Sequence, residues 1–386
     1  MVYSKYTIRE QNEATILNNI IKNKEISRAK LAEISSLNKA SVSSIVKKLI
    51  DEQFILETKI GESSESGGRK PILLTFNQTT ALLIGIDLGD NYVDALLSYI
   101  DGTEITRIQL KNSTIHAKNV ETIIHTIVTE CEKQAPQTPH GIVGLTIGIH
   151  GQVFKEMIRF TPYYDLENIN LTQRLNDRYE FPVYLENEAN LSALGEYTFS
   201  SDYESLVTIS LHRGIGAGIV KQGKLTIGYQ GNAGEIGHTI LIPNGRQCPC
   251  GNKGCLEQYC SMKIICDEIK EKKKWHDFNM DRLVQAYHDN DALLVSQIEK
   301  YAELLAIGIN NIIAINAPQL VIFNSSLTQA LPEMVALIKK QLTNRFSKDV
   351  VIMNSATTWN PAIYGALAYS AQRFLNIKQL KLIDWK

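Results

Sequence analysis

The stretch from Gly231 to Glu257, GNAGEIGHTILIPNGRQCPCGNKGCLE, constrains the fold of this chain more than any other. It sets out His238, Cys248, Cys250 and Cys255 with nine, one and four residues between successive members. Three thiolates and one imidazole form the ligand set of a closed, structural zinc site. A chain that brings these side chains onto one Zn2+ must double back within the stretch, and Gly251 and Gly254 give it the freedom to do so. Two carboxylates, Glu235 and Glu257, bracket the cluster. Held rigidly beside a metal, each can accept hydrogen bonds from hydroxyls, which suits a polyhydroxylated ligand. The plainer alternative is a metal that only staples a loop, with both glutamates solvated.

A length of 386 residues implies two or three domains, and a composition of 44% apolar and 21% charged residues is ordinary for a globular protein. No apolar run reaches membrane-spanning length. The opening MVYSKYTIREQNE lacks an apolar signal core, so a cytoplasmic location is expected. Six cysteines, half of them in the cluster, suit a reducing compartment better than a disulfide framework. Cys131, Cys260 and Cys266 are expected as small buried hydrophobes. The net charge of −1 is uninformative, but residues 1–80 carry twelve Lys/Arg against nine Asp/Glu, leaving the remainder acidic. A basic N-terminal module follows.

That module shows helical periodicity. Ile16, Leu17, Ile20 and Ile21 share one face of a first helix over 8–23. Ser27 is a good N-cap for a second helix burying Leu31 and Ile34, and Asn38 caps a third with the stripe Val42, Ile45, Val46 and Leu49. Lys39, Ala40, Ser41, Ser43, Ser44 and Lys47 then face outward, small polar and basic side chains near a helix start, as entry into a DNA major groove requires. Ser27, Arg28 and Asn38 join this candidate DNA-binding set. Two strand-like runs, 54–60 and 71–76, flank GESSESGGRK, whose tip presents Arg69 and Lys70 as a minor-groove arm would. Helix-turn-helix plus a two-stranded wing is the simplest assembly. The usual turn glycine is absent, with Ser36 nearby instead. A three-helix packing domain with a solvated linker is the bland alternative.

From Ala81 the pattern becomes α/β. Strands are expected at 82–86, 93–97, 104–110, 142–149 and 183–185, with helices over 118–134 and 188–199. A second round gives strands at 206–211, 217–220, 224–227, 319–323 and 350–353, with helices over 291–316 and 332–343. Pro361 precedes a last helix, 362–374, expected to return to the first lobe. Two successive mixed units indicate a two-lobed body with a cleft. The basic run ending at Lys274 is expected as a solvated helix face.

Several motifs now resemble one family. Gly234-Glu235-x-Gly237-His238 and Cys248-x-Cys250-Gly251-x-x-Gly254-Cys255-x-Glu257, with Glu186-Asn187-Glu188-Ala189-Asn190 and Ile84-Gly85-Ile86-Asp87-Leu88-Gly89, are similar to the ROK family of bacterial repressors and sugar kinases. The resemblance covers nearly the whole chain. It implies an actin-like ATPase fold: a winged helix-turn-helix domain over 1–80, a first lobe over 81–199 joined by the helix 361–375, and a second, zinc-bearing lobe over 200–360. It also implies that Gly151, Asn187, Glu188, Glu235, His238 and Glu257 hold a sugar. His150 stands where the family commonly has Pro.

The same resemblance bears on catalysis. Sugar kinases of this fold typically read Asp-x-Gly-Gly-Thr at the first strand turn, where this chain reads Asp87-Leu88-Gly89-Asp90-Asn91. Asp90 puts negative charge where backbone amides and a hydroxyl would meet a phosphate. The usual Gly-Thr-Gly-x-Gly is His212-Arg213-Gly214-Ile215-Gly216, and Glu188 replaces the usual aspartate base. The expectation is a binding protein with no catalytic residues, an ATP-dependent sugar kinase being the alternative. Within the family, residues 26–31, 37–44 and 66–71 are similar to those of its xylose-responsive repressors. That similarity implies a homodimer that binds operator DNA and releases it on binding D-xylose.

Overall fold

The computed structural model describes residues 11–60, 70–357 and 359–383. The chain divides into two units: residues through 191, with 198–201 and 362 onward, form the first, and residues 192–197 and 202–361 form the second.

The first unit opens with a helical head. Helix α1 (Gln11–Asn23) buries Ile16, Leu17, Ile20 and Ile21 along one face, as their spacing dictates. A two-residue strand β1 (Ile26–Ser27) leads into α2 (Arg28–Ser35), whose N-cap Ser27 accepts from the Lys30 amide. The chain reverses at Ser36, which takes the left-handed conformation (φ 57°) that glycine would occupy without strain. Asn38 caps α3 (Lys39–Asp51) by accepting from the Ser41 amide at 2.8 Å, and Val42, Val46 and Leu49 turn inward. Ile45 is half-buried. Ile34, expected inside, is 40% exposed; it lies in the last turn of α2, two residues before the reversal. Strands β2 (Ile55–Ile60) and β3 (Ile72–Phe76) pair antiparallel, and β1 joins them in the order β1-β3-β2.

The body of the first unit runs β4 (Leu82–Leu88), β5 (Tyr92–Tyr99), β6 (Glu104–Lys111), α4 (Val120–Gln134), β7 (Ile142–Ile149), β8 (Gln152–Phe154), β9 (Met157–Phe160), α5 (Leu171–Arg178), β10 (Val183–Asn187) and the ends of α6 (Glu188–Phe199), whose middle residues 192–197 belong to the second unit. Its main sheet has the order β10-β7-β4-β5-β6, antiparallel from β4 to β6 and parallel from β4 to β10. All seven positions of β4 are buried, so both faces of the sheet centre are covered. The short hairpin β8–β9 escapes sequence reading because its turn residues, Lys155 and Glu156, adopt φ of 51° and 60° without the glycine or asparagine that usually announces such a turn.

The second unit repeats the plan. It runs β11 (Leu206–Leu211), β12 (Ile215–Lys221), β13 (Lys224–Leu225), the single-turn helix α7 (Glu257–Cys260), α8 (Met262–Lys273), α9 (Met280–His288), α10 (Ala292–Asn316), β14 (Leu320–Asn324), α11 (Ser326–Ala330), α12 (Glu333–Gln341) and β15 (Val351–Asn354). The sheet order β13-β12-β11-β14-β15 matches that of the first unit strand for strand, three antiparallel then two parallel. Tyr301, Leu305 and Ile309 of α10 pack with Phe323, Met334 and Ile338 in its core.

Helix α13 (Pro361–Leu375) closes the chain and, from Ala362 on, belongs to the first unit. It lies unusually close to its neighbours. A Cβ on Gly144 of β7 would come within 2.9 Å of Ser370, and one on Gly365 within 1.7 Å of the Leu191 carbonyl oxygen on α6. Thr146 and Ser370 share a buried hydrogen bond of 2.7 Å across the same contact. Among the described residues, no helix is long and apolar enough to cross a membrane.

Candidate metal centre and effector residues

In the second unit the cluster is assembled by a chain reversal. The backbone bridges Ile240 to Cys255 and Gln247 to Lys253, which brings the Cys248–Cys255 loop back against the turn Ile236–His238. Gly254 (φ 86°) makes this possible, since a Cβ there would stand 1.7 Å from the Ile242 carbonyl oxygen. The ligand atoms of His238, Cys248, Cys250 and Cys255 all lie within 4.8 Å of one another. A zinc tetrahedron with bonds of about 2.3 Å to sulfur and about 2.1 Å to nitrogen has S···S edges of about 3.8 Å and S···N edges of about 3.6 Å. Cys250 and Cys255 sulfurs are 3.7 Å apart, and Cys248 Sγ is 3.6 Å from His238 Nδ1. The donor set therefore fits zinc in both chemistry and spacing.

The surroundings support that geometry. His238 turns Nδ1 toward the sulfurs and Nε2 toward Glu235, 3.8 Å away, the arrangement by which a carboxylate orients a metal-bound imidazole. Gln258 Nε2 donates to Cys248 Sγ at 3.6 Å. Glu257 heads α7, and its Oε2 accepts from the Ile215 amide at 3.0 Å. Desolvation raises the pKa of Glu235, with His238 opposing and the Glu257 carboxylate adding to the rise. The two carboxylates expected to bind hydroxyls thus lie within electrostatic reach of each other and of the metal ligand set.

The first unit gathers its own candidates at the carboxyl ends of two neighbouring parallel strands, where open α/β sheets place ligands. Ile149, last of β7, is in register with Asn187, last of β10. Asn187 Nδ2 donates to the Gly151 carbonyl at 2.7 Å, and its Oδ1 accepts from the Asn190 amide. Glu186 is buried and accepts from both the Asn187 amide and Asn190 Nδ2; burial raises its pKa, and those two hydrogen bonds oppose the rise. Glu188 follows at the start of α6, 5% exposed. The structure therefore brings Gly151, Asn187 and Glu188 together in one unit and Glu235, His238 and Glu257 together in the other.

The turn after β4 holds a feature that sequence reasoning missed. Asp87, 1% exposed, binds His150 Nε2 through Oδ1 at 2.9 Å and accepts from the Tyr92 hydroxyl through Oδ2 at 2.8 Å. The Tyr92 ring lies so close over Gly89 that a Cβ there would meet it at 2.0 Å. Burial pushes the His150 imidazole down, but Asp87 outweighs it, helped by Glu188 and Asp90, and raises the pKa to about 9. At neutral pH His150 is therefore a cation beside three carboxylates. The pKa of Tyr92 stands well above that of an ordinary phenol, through burial and the Asp87 charge, so it remains a donor. An aromatic ring over the glycine and a cation on the aspartate occupy the turn that the family resemblance assigns to phosphate. Tyr92 belongs to no motif, so only its position in space identifies it.

On the head, Lys39, Ala40, Ser43, Ser44 and Lys47 are exposed on α3, and Ser41 is half-buried. Ser27 and Asn38 use side-chain oxygens as helix caps. Arg28 pairs with Glu57 of β2 at 2.7 Å. Lys70 is exposed, whereas Arg69 lies outside the described residues.

Comparison with known proteins agrees with this architecture. A model of the ROK family matches residues 83–373. The xylose repressor of Bacillus subtilis (strain 168) is 32% identical over 345 residues, covering 88% of each chain. The xylose repressor of Staphylococcus xylosus is 31% identical, covering 97% of this chain and 98% of its own. Among solved structures, a ROK family transcriptional regulator described as a homolog of the E. coli MLC protein superposes with a TM-score of 0.77 at 25% identity, over 96% of this chain and 98% of its own. A ROK family glucokinase from Streptomyces griseus, in complex with glucose and AMPPNP, gives 0.67 at 22% identity, over 75% of this chain and 99% of its own. With a family match across most of its length and relatives above 30% identity over nearly all of it, this chain belongs to the ROK family.

Proposed function

We propose that this chain is a sugar-responsive transcriptional repressor that binds operator DNA and lets it go when a monosaccharide, D-xylose, binds. One observation carries the reading: a head with an exposed basic and small-polar helix precedes a body whose phosphate turn is filled by Tyr92 and His150. The relatives named as repressors span head and body alike.

In this reading the head is a winged helix-turn-helix. Lys39, Ala40, Ser41, Ser43, Ser44 and Lys47 meet the major groove, with Ser27, Arg28 and Asn38 at its edge and Arg69 and Lys70 reaching the minor groove. Ser27 and Asn38 fix the helix starts, which positions the reading face, and a homodimer addresses a palindromic site in the cytoplasm. Asn187 and Glu188 with Gly151 in the first unit, and Glu235 and Glu257 with His238 in the second, are the residues that hold sugar. Zinc on His238, Cys248, Cys250 and Cys255 supplies a cross-link that fixes Glu235 and Glu257. Sugar lowers operator affinity only to the extent that it prefers the released conformation.

The test is operator binding, on a duplex selected by the protein from a random-sequence pool, titrated with D-xylose and D-glucose. D-xylose should weaken binding and D-glucose should not. A coupled assay should find no sugar-dependent ADP release. Turnover at about one per second or faster, or sugar binding without effect on the operator, would refute the proposal.

A further inference from the structure

The C-terminal end of α3 meets the body at His140 and Phe374. Glu52, Gln53 and Phe54 follow the helix directly. His140 Nε2 donates to the Glu52 carbonyl at 3.0 Å. The Gln53 carbonyl accepts from Asn77 Nδ2 at 2.8 Å and from the Thr80 hydroxyl at 2.9 Å. Phe54 stacks on the His140 ring at 4.4 Å, and both rings lean on Phe374 at 5.5 and 5.6 Å. Three aromatic rings from the head, the start of β7 and the end of α13 thus form a single joint.

The other ends of those two elements reach the effector residues. β7 starts two residues after His140 and ends at Ile149, before His150 and the Gly151 carbonyl that receives Asn187 Nδ2. Its eight residues span about 26 Å. α13 touches the Leu191 carbonyl of α6 at Gly365, one turn past Glu188, and carries Phe374 nine residues later, about 13 Å along its axis. A strand paired on both sides within a sheet and a helix packed without clearance move as stiff bodies. A displacement of Asn187, Glu188 or Leu191 therefore arrives at the same pair of rings by two routes. Beside the rings lies an open cavity of about 630 Å³ whose lining includes His140, Phe374, Tyr179 and Phe181.

We propose that His140 is the positioning residue through which the effector site sets the orientation of the DNA-binding head. This rests on the repressor reading above and adds the regulation of that site. A merely structural His140 would change stability or either affinity; a coupling His140 changes the factor by which sugar alters operator affinity.

The experiment measures operator Kd with and without saturating D-xylose, and D-xylose Kd in the absence of DNA, on the full chain. For the wild type the operator Kd ratio should fall in the usual allosteric range, about 5- to 150-fold. In His140→Ala the ratio should collapse to within about twofold of one, with D-xylose Kd unchanged within about twofold, since no effector contact is removed. His140→Phe keeps the stack and loses the bond to Glu52, so its ratio should lie between. Phe374→Leu, which removes one ring, should also lower the ratio, and it carries the test with His140→Phe if the alanine variant does not fold. A wild-type ratio in these variants overturns the joint. A ratio of one in the wild-type protein overturns the repressor reading, and the joint with it.

Discussion

Replacing His150 with glutamine should destabilise the first unit in a strongly pH-dependent way. The imidazole is 12% exposed and faces Asp87, which is 1% exposed. Asp87 raises its pKa from 6.5 to about 9 against the opposing effect of burial, with Glu188 and Asp90 adding to the rise. A rise of that size corresponds to about 3 kcal/mol of preference for the protonated, folded form. The sign follows from the direction. A histidine whose folded pKa exceeds its unfolded value contributes its full stabilisation below pH 6.5 and loses it as pH rises through about 9. Glutamine can still donate to Asp87 but carries no charge. The gap between wild type and His150→Gln should therefore be about 3 kcal/mol at pH 6 and close above pH 9. Two measurements check this. An NMR titration of the imidazole protons, assigned by their loss in the variant, should find a midpoint near 9. Urea unfolding of both proteins at pH 6 and pH 9.5, followed by far-ultraviolet circular dichroism, should show the gap narrowing. An imidazole titrating near 6.5, or a gap that does not change with pH, would refute the reasoning.

The other expectations concern metal and DNA. Protein purified without chelator should hold one zinc per chain by elemental analysis, and Cys255→Ser should lose both the metal and the sugar response; metal-free wild-type protein would overturn this. Arg69→Ala should weaken operator binding and reduce the salt slope by about one unit; an unchanged slope in a salt titration would mean that the tip does not touch a phosphate.

Much of the architecture was legible because its signals are local. Ser27 and Asn38 cap the helices they were expected to cap, and the inward stripes of α1 and α3 follow from helical spacing. The two rounds of strands stand out because their central members are rich in Leu, Ile and Val and buried throughout, such as Leu82–Leu88 and Leu206–Leu211. The cysteine spacing pointed to four donors that the structure gathers within 4.8 Å of one another, a cluster compatible with zinc. Other features were hidden for physical reasons. The hairpin β8–β9 has strands of three and four residues and non-glycine turn residues. Helices α5 and α9, of eight and nine residues, are too short for a periodic stripe to stand out. Arg28 looked like a free cation in the sequence, yet Glu57, 29 residues away, pairs with it.

The turn after β4 shows how a feature escapes a sequence when its parts lie far apart along the chain. Sequence alone directed attention to Asp90, because a negative charge there repels phosphate. In the fold, Asp87 is the group that matters, and its two oxygens are committed to Tyr92 and His150, which stand 5 and 63 residues away. Repulsion by one half-exposed aspartate is weak in water and screened by salt. The Tyr92 ring packed over Gly89 is a contact that salt does not screen. A buried imidazolium on Asp87 also satisfies the carboxylate that would otherwise be left charged and uncompensated, an arrangement whose disruption typically costs 3–5 kcal/mol. Ring and imidazole together tie Asp87 to the start of β5 and to the residue after β7. His150 and Gly151 continue directly from β7, the strand that begins two residues after His140, whose imidazole bonds the Glu52 carbonyl of the DNA-binding head.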